Sequence, residues 1–562
     1  MKNINKCCQL FTANCQHLFW CLLLTANCQL FTGCSIKKQA DTILHHGVVY
    51  TVDEKFSVAE AIAVKDGKIL AVGSNDEILK TYSAKEIIDL EGRPVYPGFI
   101  DAHAHFYGYG MGLQECDLVG TKSWDDIIER IKKFANENKV GWLIGRGWDQ
   151  NDWDVKQFPS KEKLDELFPD RPVLLTRVDG HAAIANQKAL DIAGVNAGDK
   201  LTGGDVEVKN NKLTGILVDN AVDLVAGKIP PPSPAQIKEA LLDAQKNCFA
   251  VGLTTIDDCG LNYDAVEFID GLQKSGELKM RLYVMLSDDK ENYGYLFKKG
   301  KIKTDRLNVS SFKVYADGAL GSRGACLLQP YSDKPDHYGF LLSKPEHFDS
   351  VAKIIYENNF QMCTHAIGDS GNRMILKVYA NYLKGKNDRR WRVEHAQVIN
   401  ENDFKLFGEN SVIPSVQPTH ATSDMYWAGE RLGKEREKGA YAYKQLLQQN
   451  NVLPLGTDFP VEDINPLNTF YSAVIRKDKN NFPEEGYQMN NALTRKEALK
   501  GMTIWAAYSN FEEKEKGSIE PGKFADFVIF DNDIIKCNDK NILSAKLLFT
   551  FINGQIVYSL NK

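Results

Sequence analysis

The chain has 562 residues, 43% of them hydrophobic and 25% charged, with a formal net charge of -6. That is globular composition on a chain too long for one compact core, and it excludes a disordered polypeptide. There is no long basic run and no nucleic-acid-reading motif, so nucleic acid is excluded as a partner.

The first 34 residues stand apart. They hold Cys7, Cys8, Cys15, Cys21, Cys28 and Cys34, half of the 12 cysteines. The others (Cys116, Cys248, Cys259, Cys326, Cys363 and Cys537) are scattered without a C-x-x-C pair. They read neither as a disulfide framework nor as a thiolate zinc cluster. Lys2 and Lys6 precede the apolar run 18–24, which is too short to span a membrane. Leu30-Phe31-Thr32-Gly33-Cys34-Ser35 resembles a bacterial lipobox, whose cleavage leaves a lipidated cysteine. Residues 1–34 are therefore expected to be a lipoprotein signal that exports the protein to the cell envelope or periplasm. The competing reading is a spurious extension on a cytoplasmic protein.

From Asp41 the pattern changes to short strand-like runs around 42–44, 47–52, 61–64 and 68–72, with Asp66-Gly67 as a hairpin turn signal. The C-terminal segment has the same texture, with strands expected at 526–530 and 547–552 and Asn553-Gly554 as a second turn. One β-sandwich built from residues 41–92 and 505–562 is expected, with residues 93–504 inserted into it.

The inserted part opens on Val95-Tyr96-Pro97-Gly98-Phe99-Ile100-Asp101-Ala102-His103-Ala104-His105. An apolar, β-prone run leads into two histidines at i, i+2, a spacing that puts both imidazoles on one face of a strand. Neutral imidazole is the commonest protein metal ligand, yet two histidines make only half a site. Seven more strand-like runs follow, at 253–257, 282–285, 311–315, 361–365, 392–395, 415–418 and 452–458, most of them separated by amphipathic helical stretches. Eight alternating units predict an α/β chain with a (β/α)8 TIM-like barrel. The stretch of about 107–250 between the first two strands is too long for one helix and is expected to be a structured insertion over the barrel mouth. Its Trp142, Trp148 and Trp153 hint at an apolar substrate group, or else pack the insertion.

Placed on these strands, His103 and His105 end the first, Lys313 lies in the fourth, His365 and His395 end the fifth and sixth, and Asp458 ends the eighth. That is the rim where barrel sites form. Each residue taken singly has an ordinary structural explanation; their joint placement does not. His17, His45, His46, His337, His347 and His420 fit no such pattern, although His420 lies near the end of the seventh strand.

These segments resemble the amidohydrolase superfamily and, within it, the YtcJ-like branch (amidohydrolase family 3), which includes N-substituted formamide deformylases. The matching motifs are 97–105, Asp179-Gly180-His181, 313–323, His365-Ala366-Ile367-Gly368-Asp369, Val393-Glu394-His395-Ala396-Gln397 and Gly456-Thr457-Asp458-Phe459-Pro460-Val461. The resemblance implies a metal-dependent hydrolase of carbon–nitrogen bonds in a small molecule. It implies one or two divalent ions, most often zinc, at His103, His105, His365, His395 and Asp458. Lys313 matches a position where many relatives carry a carbamylated lysine between two metals; a single-metal site with Lys313 as a bystander is the other reading. Asp458 is expected to act as general base and then acid, with His181 and Arg323 touching substrate or oxyanion. Membrane contact is expected only through an N-terminal lipid anchor, and a homodimer is an open expectation. Two other functions stay in view: a different reaction on the same scaffold, such as isomerisation or ester hydrolysis, and a non-catalytic ligand-binding lipoprotein. A nicotinamide enzyme is excluded, because no G-x-G-x-x-G runs from a strand into a helix.

Overall fold

The computed structural model describes residues 37–139 and 141–560. The expected export signal at 1–34 lies outside the described residues.

Two sheets pack face to face. One has the order Lys68–Gly73, Ala61–Lys65, Lys38–His45, Tyr82–Asp89. The other runs Gln555–Ser559, Leu547–Ile552, Phe527–Phe530, Pro94–Pro97, Val48–Tyr50, Val58–Ala59, and so interleaves strands from both ends of the chain. Alternate residues face inward, and Leu44, Val49, Ile62, Val64, Val95, Phe527, Ile529 and Phe551 form the shared core. Both expected tight turns form. Asp66 and Gly67 have φ of 50° and 75°, and Asn553 and Gly554 have 51° and 69°, the left-handed pair that a two-residue hairpin turn needs.

The barrel follows. Its strands are Phe99–Ala104, Leu253–Leu261, Arg281–Ser287, Leu307–Tyr315, Gln361–Ala366, Arg392–His395 and Ile413–Ser415, all parallel and paired in that order. The predicted α/β barrel is present, with two corrections. The eighth run, 452–458, forms no regular strand. Pro454 has no N–H to give to a ladder, and the chain bends where Asp458 takes a φ of 64°. The run still closes the barrel through single bonds. Gly456 N donates to Val416 O (3.0 Å), Ala102 N to Leu455 O (3.2 Å) and Asp458 N to His103 O (2.7 Å). The seventh strand is also shorter than expected, because Pro418 starts a helix, Pro418–Asp424.

The segment between the first two barrel strands builds its own mixed sheet, in the order Gly204–Lys209, Lys212–Asp219, Ala182–Ala185, Val173–Arg177, Leu143–Trp148, Cys116–Asp117. Trp148 and Trp153 are buried in its core with Ile127, Leu143 and Val173, and Trp142 packs against a neighbouring cluster. None of the three lines the main cavity, so they carry no information about substrate. No described helix is long and apolar enough to cross a membrane.

Candidate metal centre

The first barrel strand and the closing run are fastened together by Asp101. Its carboxylate accepts from Thr457 N (2.9 Å) and Thr457 Oγ1 (2.6 Å). Gly456 permits the approach, since a Cβ there would lie 2.5 Å from the His103 backbone nitrogen. Asp458 is thereby delivered to the two histidines. Its Oδ1 lies 3.2 Å from His105 Nε2 and 3.6 Å from His103 Nε2, and its Oδ2 lies 3.2 Å from His420 Nε2.

The orientation of each imidazole is set from behind. Glu394 Oε2 faces His103 Nδ1 at 2.5 Å, and the carbonyl of Cys259 faces His105 Nδ1 at 3.0 Å. Both rings therefore present Nε2 to the same place. Glu394 is itself held by Arg392 at 2.6 Å. Burial alone would raise the Glu394 pKa, but Arg392 and His103 outweigh it and bring it down to about 2. Carboxylate-backed histidine is the arrangement that fixes tautomer and ring angle in metal ligands.

His365 and His395 complete the ring of imidazoles. Their centroids are 4.5 Å apart, and that of His395 is 4.7 Å from His103. Burial, followed by the neighbouring imidazoles, pushes both well below the usual histidine range. Burial, then Lys313, brings His103 down to about 4. All three are neutral at pH 7, the form that ligates. Asp458 goes the other way: burial opposes its charge, but His105 and His420 hold it well below the ordinary carboxyl value.

Among the described residues, ligating atoms of His103, His395 and Asp458 all lie within 4.8 Å of one another in a fully buried group. His105, His365 and Lys313 border that group; Lys313 Nζ is 3.2 Å from His103 Nε2. His365 Nε2, His395 Nδ1 and Asp458 Oδ1 are buried with no well-directed hydrogen bond among the described residues. Neutral imidazole nitrogens gathered around an ionised carboxylate in a buried site are a donor set that suits a divalent cation. His395 and Asp458 also hold left-handed backbone, with φ of 69° and 64°. Non-glycine residues persist there only when the surroundings dictate it.

His181 reaches the same region from the inserted sheet. Its Nδ1 lies 2.6 Å from Asp219 Oδ1, and its ring centroid is 5.0 Å from that of His365. Burial works against protonation, but Asp219 and Asp179 outweigh it and raise its pKa. The segment Asp317 to Gly324 serves as a backbone platform. Asp317 accepts from the N–H groups of Ile367, Gly368 and Cys326 at 2.8 to 2.9 Å. Gly318 gives Asp219 room, because a Cβ there would lie 2.4 Å from Asp219 Oδ2.

Arg323 is not brought to the centre. It takes a φ of 65°, its guanidinium pairs with Asp333 at 2.7 Å, and it does not line the cavity. Glu394 and Asp219 were given no role from sequence, and His420 was noted only for lying near the end of the seventh strand. Glu394 carried a local signal, beside His395 on the sixth strand, and His420 a weaker one. Asp219 comes from the end of the strand Lys212–Asp219 in the insertion, and His420 sits on a helix rather than at a strand end.

His105, His181, Asp219, Lys313, His365, His395, His420 and Asp458 line one open cavity of about 1690 Å³, larger than the ~300–1,000 Å³ usual for small-molecule sites, with His103 and Glu394 behind its wall.

The amidohydrolase family model matches residues 86–558. The Bacillus subtilis protein YtcJ is 33% identical over 526 residues, covering 92% of this chain and 99% of that protein. An N-substituted formamide deformylase from Arthrobacter pascens is 24% identical over 542 residues, covering 92% and 98%. Among solved structures, an uncharacterised metal-dependent hydrolase from Pyrococcus horikoshii superimposes with a TM-score of 0.72 at 27% identity, covering 89% of this chain and 99% of that one. Barrel, flanking sheets and clustered donors thus sit inside a match that runs over nearly the whole described chain, and the chain belongs to the amidohydrolase family.

Proposed function

We propose that this protein hydrolyses a carbon–nitrogen bond of amide or formamide type in a small molecule, using a divalent cation, with zinc as first choice. The observation that carries this reading is the convergence of neutral His103 and His395 with ionised Asp458 at the cavity wall, where His395 and Asp458 are exposed to the cavity. His103, His105, His365, His395 and Asp458 would hold the ion, with Lys313 contributing if it is carbamylated. The bound ion would supply a Lewis acid and bring a water's pKa from 15.7 to about 7.

The chain supplies the rest. Asp458 is ionised and can take a proton from the attacking water at a carboxylate oxygen, then return it to the departing nitrogen. Asp219 fixes the His181 ring through Nδ1, so Nε2 is the atom left to donate to a substrate oxygen as negative charge develops there. Glu394 keeps His103 turned toward the centre throughout. The relationship to an N-substituted formamide deformylase supports this bond class. The test is chelation, followed by return of zinc, with turnover followed on formamides, N-acyl amines, cyclic amides and esters. Loss and recovery on an amide-type member is expected. Turnover indifferent to chelation would overturn the reading, and turnover confined to esters would move it to another bond.

A further inference from the structure

The cavity contains a guanidinium with no salt-bridge partner among the described residues. Arg146 lies on the inserted strand Leu143–Trp148 and faces the cavity shared by His105, His181 and Asp458. The only side-chain hydrogen bond of Arg146 among the described residues is from Nη2 to the carbonyl of Val178, at 3.1 Å. Its Nε is enclosed and has no acceptor among the described residues. No described carboxylate lies within 4.0 Å of it, although Glu115, Asp179 and Asp458 are near enough to be felt. The adjacent strand shows the contrast. Arg177 is fully buried and bonded to both Asp149 and Asp179. Two arginines in one sheet have therefore been treated differently: one is neutralised inside the protein, and the other is left open on its cavity side.

Arg146 is half-buried, and the part of a guanidinium that is taken out of water is unfavourable until its donors are met. A protein keeps such a group where a ligand completes it. The planar fork of N–H donors matches a carboxylate in two parallel bonds. Position 180 is built around it. Gly180 has a φ of 76°, and a Cβ there would stand 3.2 Å from Arg146 Nη2, while the next residue is His181. The segment that carries a proposed oxyanion donor thus also gives way to the guanidinium.

We infer that Arg146 anchors a free carboxylate on the substrate, so that the molecule cleaved is an N-acylated amino acid or similar acid, with its amide group at the metal centre and its acid group at Arg146. The inference rests on the carbon–nitrogen hydrolase reading for the reaction, but not for the binding. Glu115 is the competing explanation, a half-buried carboxyl at the cavity, pushed up by desolvation, that Arg146 would merely balance. In that case a ligand's acid group gains nothing.

The test uses matched pairs: N-formyl-, N-acetyl- and N-benzoylglycine against their neutral carboxamides. Binding is measured by calorimetry on zinc-loaded and chelated protein, with turnover measured alongside. The expected result is that the acid of at least one pair binds about ten-fold or more tightly than its amide. Arg146→Gln should bring that ratio close to one, and Arg146→Lys should keep part of it. Equal binding of acid and amide in every pair, or an undiminished ratio in Arg146→Gln, would overturn the inference. The wild-type ratio decides the matter even if a variant fails to fold. Acid-selective binding without any turnover would leave the carboxylate anchor standing and sink the hydrolase reading; turnover of neutral amides without acid preference would do the reverse.

Discussion

Asp458 carries opposing demands. Two histidines and the backbone of the first strand hold it, and burial opposes the charge that those contacts preserve. Asp458→Asn keeps the shape and removes the proton acceptor. We expect turnover to fall by ~10²-fold or more with the fold intact; rates near wild type would remove it as base. Glu394 offers a check through pH. Its folded pKa is lowered from 4.5 to about 2, so its contribution to stability is complete above about pH 4.5 and disappears as pH falls toward 2. Melting temperatures should therefore decline on acidification through that window. Glu394→Gln should start lower at pH 6 and decline less steeply. A wild-type curve that is flat down to pH 3 would contradict the assignment.

At the scale of elements, the site is made by things that are not strands. The closing run 453–458 lacks a full ladder, and its bend at Asp458 turns the carboxylate inward. The segment after the fourth strand gives up side chains so that Asp219 can pass. Gly318→Ala should push Asp219 away from His181. We expect a loss of about 1–3 kcal/mol from overpacking, together with reduced turnover at unchanged metal content. Unchanged melting and activity would show that the approach tolerates a methyl group. Arg323 shows the limit of motif reading at this scale. It ends the same glycine-rich segment, yet its left-handed backbone carries it to Asp333.

At the scale of the whole molecule, the barrel and the flanking sheets share charged ties. Arg281, at the start of the third barrel strand, bonds Asp526 at 2.6 and 2.9 Å and Asn553 at 2.6 Å. The pair is buried, so removing one partner leaves an uncompensated charge. Asp526→Ala should cost about 3–5 kcal/mol, read by urea denaturation; a cost below ~1 kcal/mol would mean the interface relaxes around the arginine.

Period and turn chemistry made the fold legible. Apolar runs of strand length alternating with amphipathic helices specify a parallel barrel, and Asp66-Gly67 and Asn553-Gly554 specify tight hairpins whatever the surroundings, because both properties are local. The histidines at strand ends were legible for the same reason: a parallel barrel sends every strand's C-terminal end to one rim. Asp219 behind His181, the contact of His420 with Asp458, the burial of Trp148 and Trp153 and the open charge of Arg146 were not legible. Each depends on which distant segment arrives opposite a side chain. That is settled only when the insertion folds over the rim and fixes which charges are paired and which are left for a ligand.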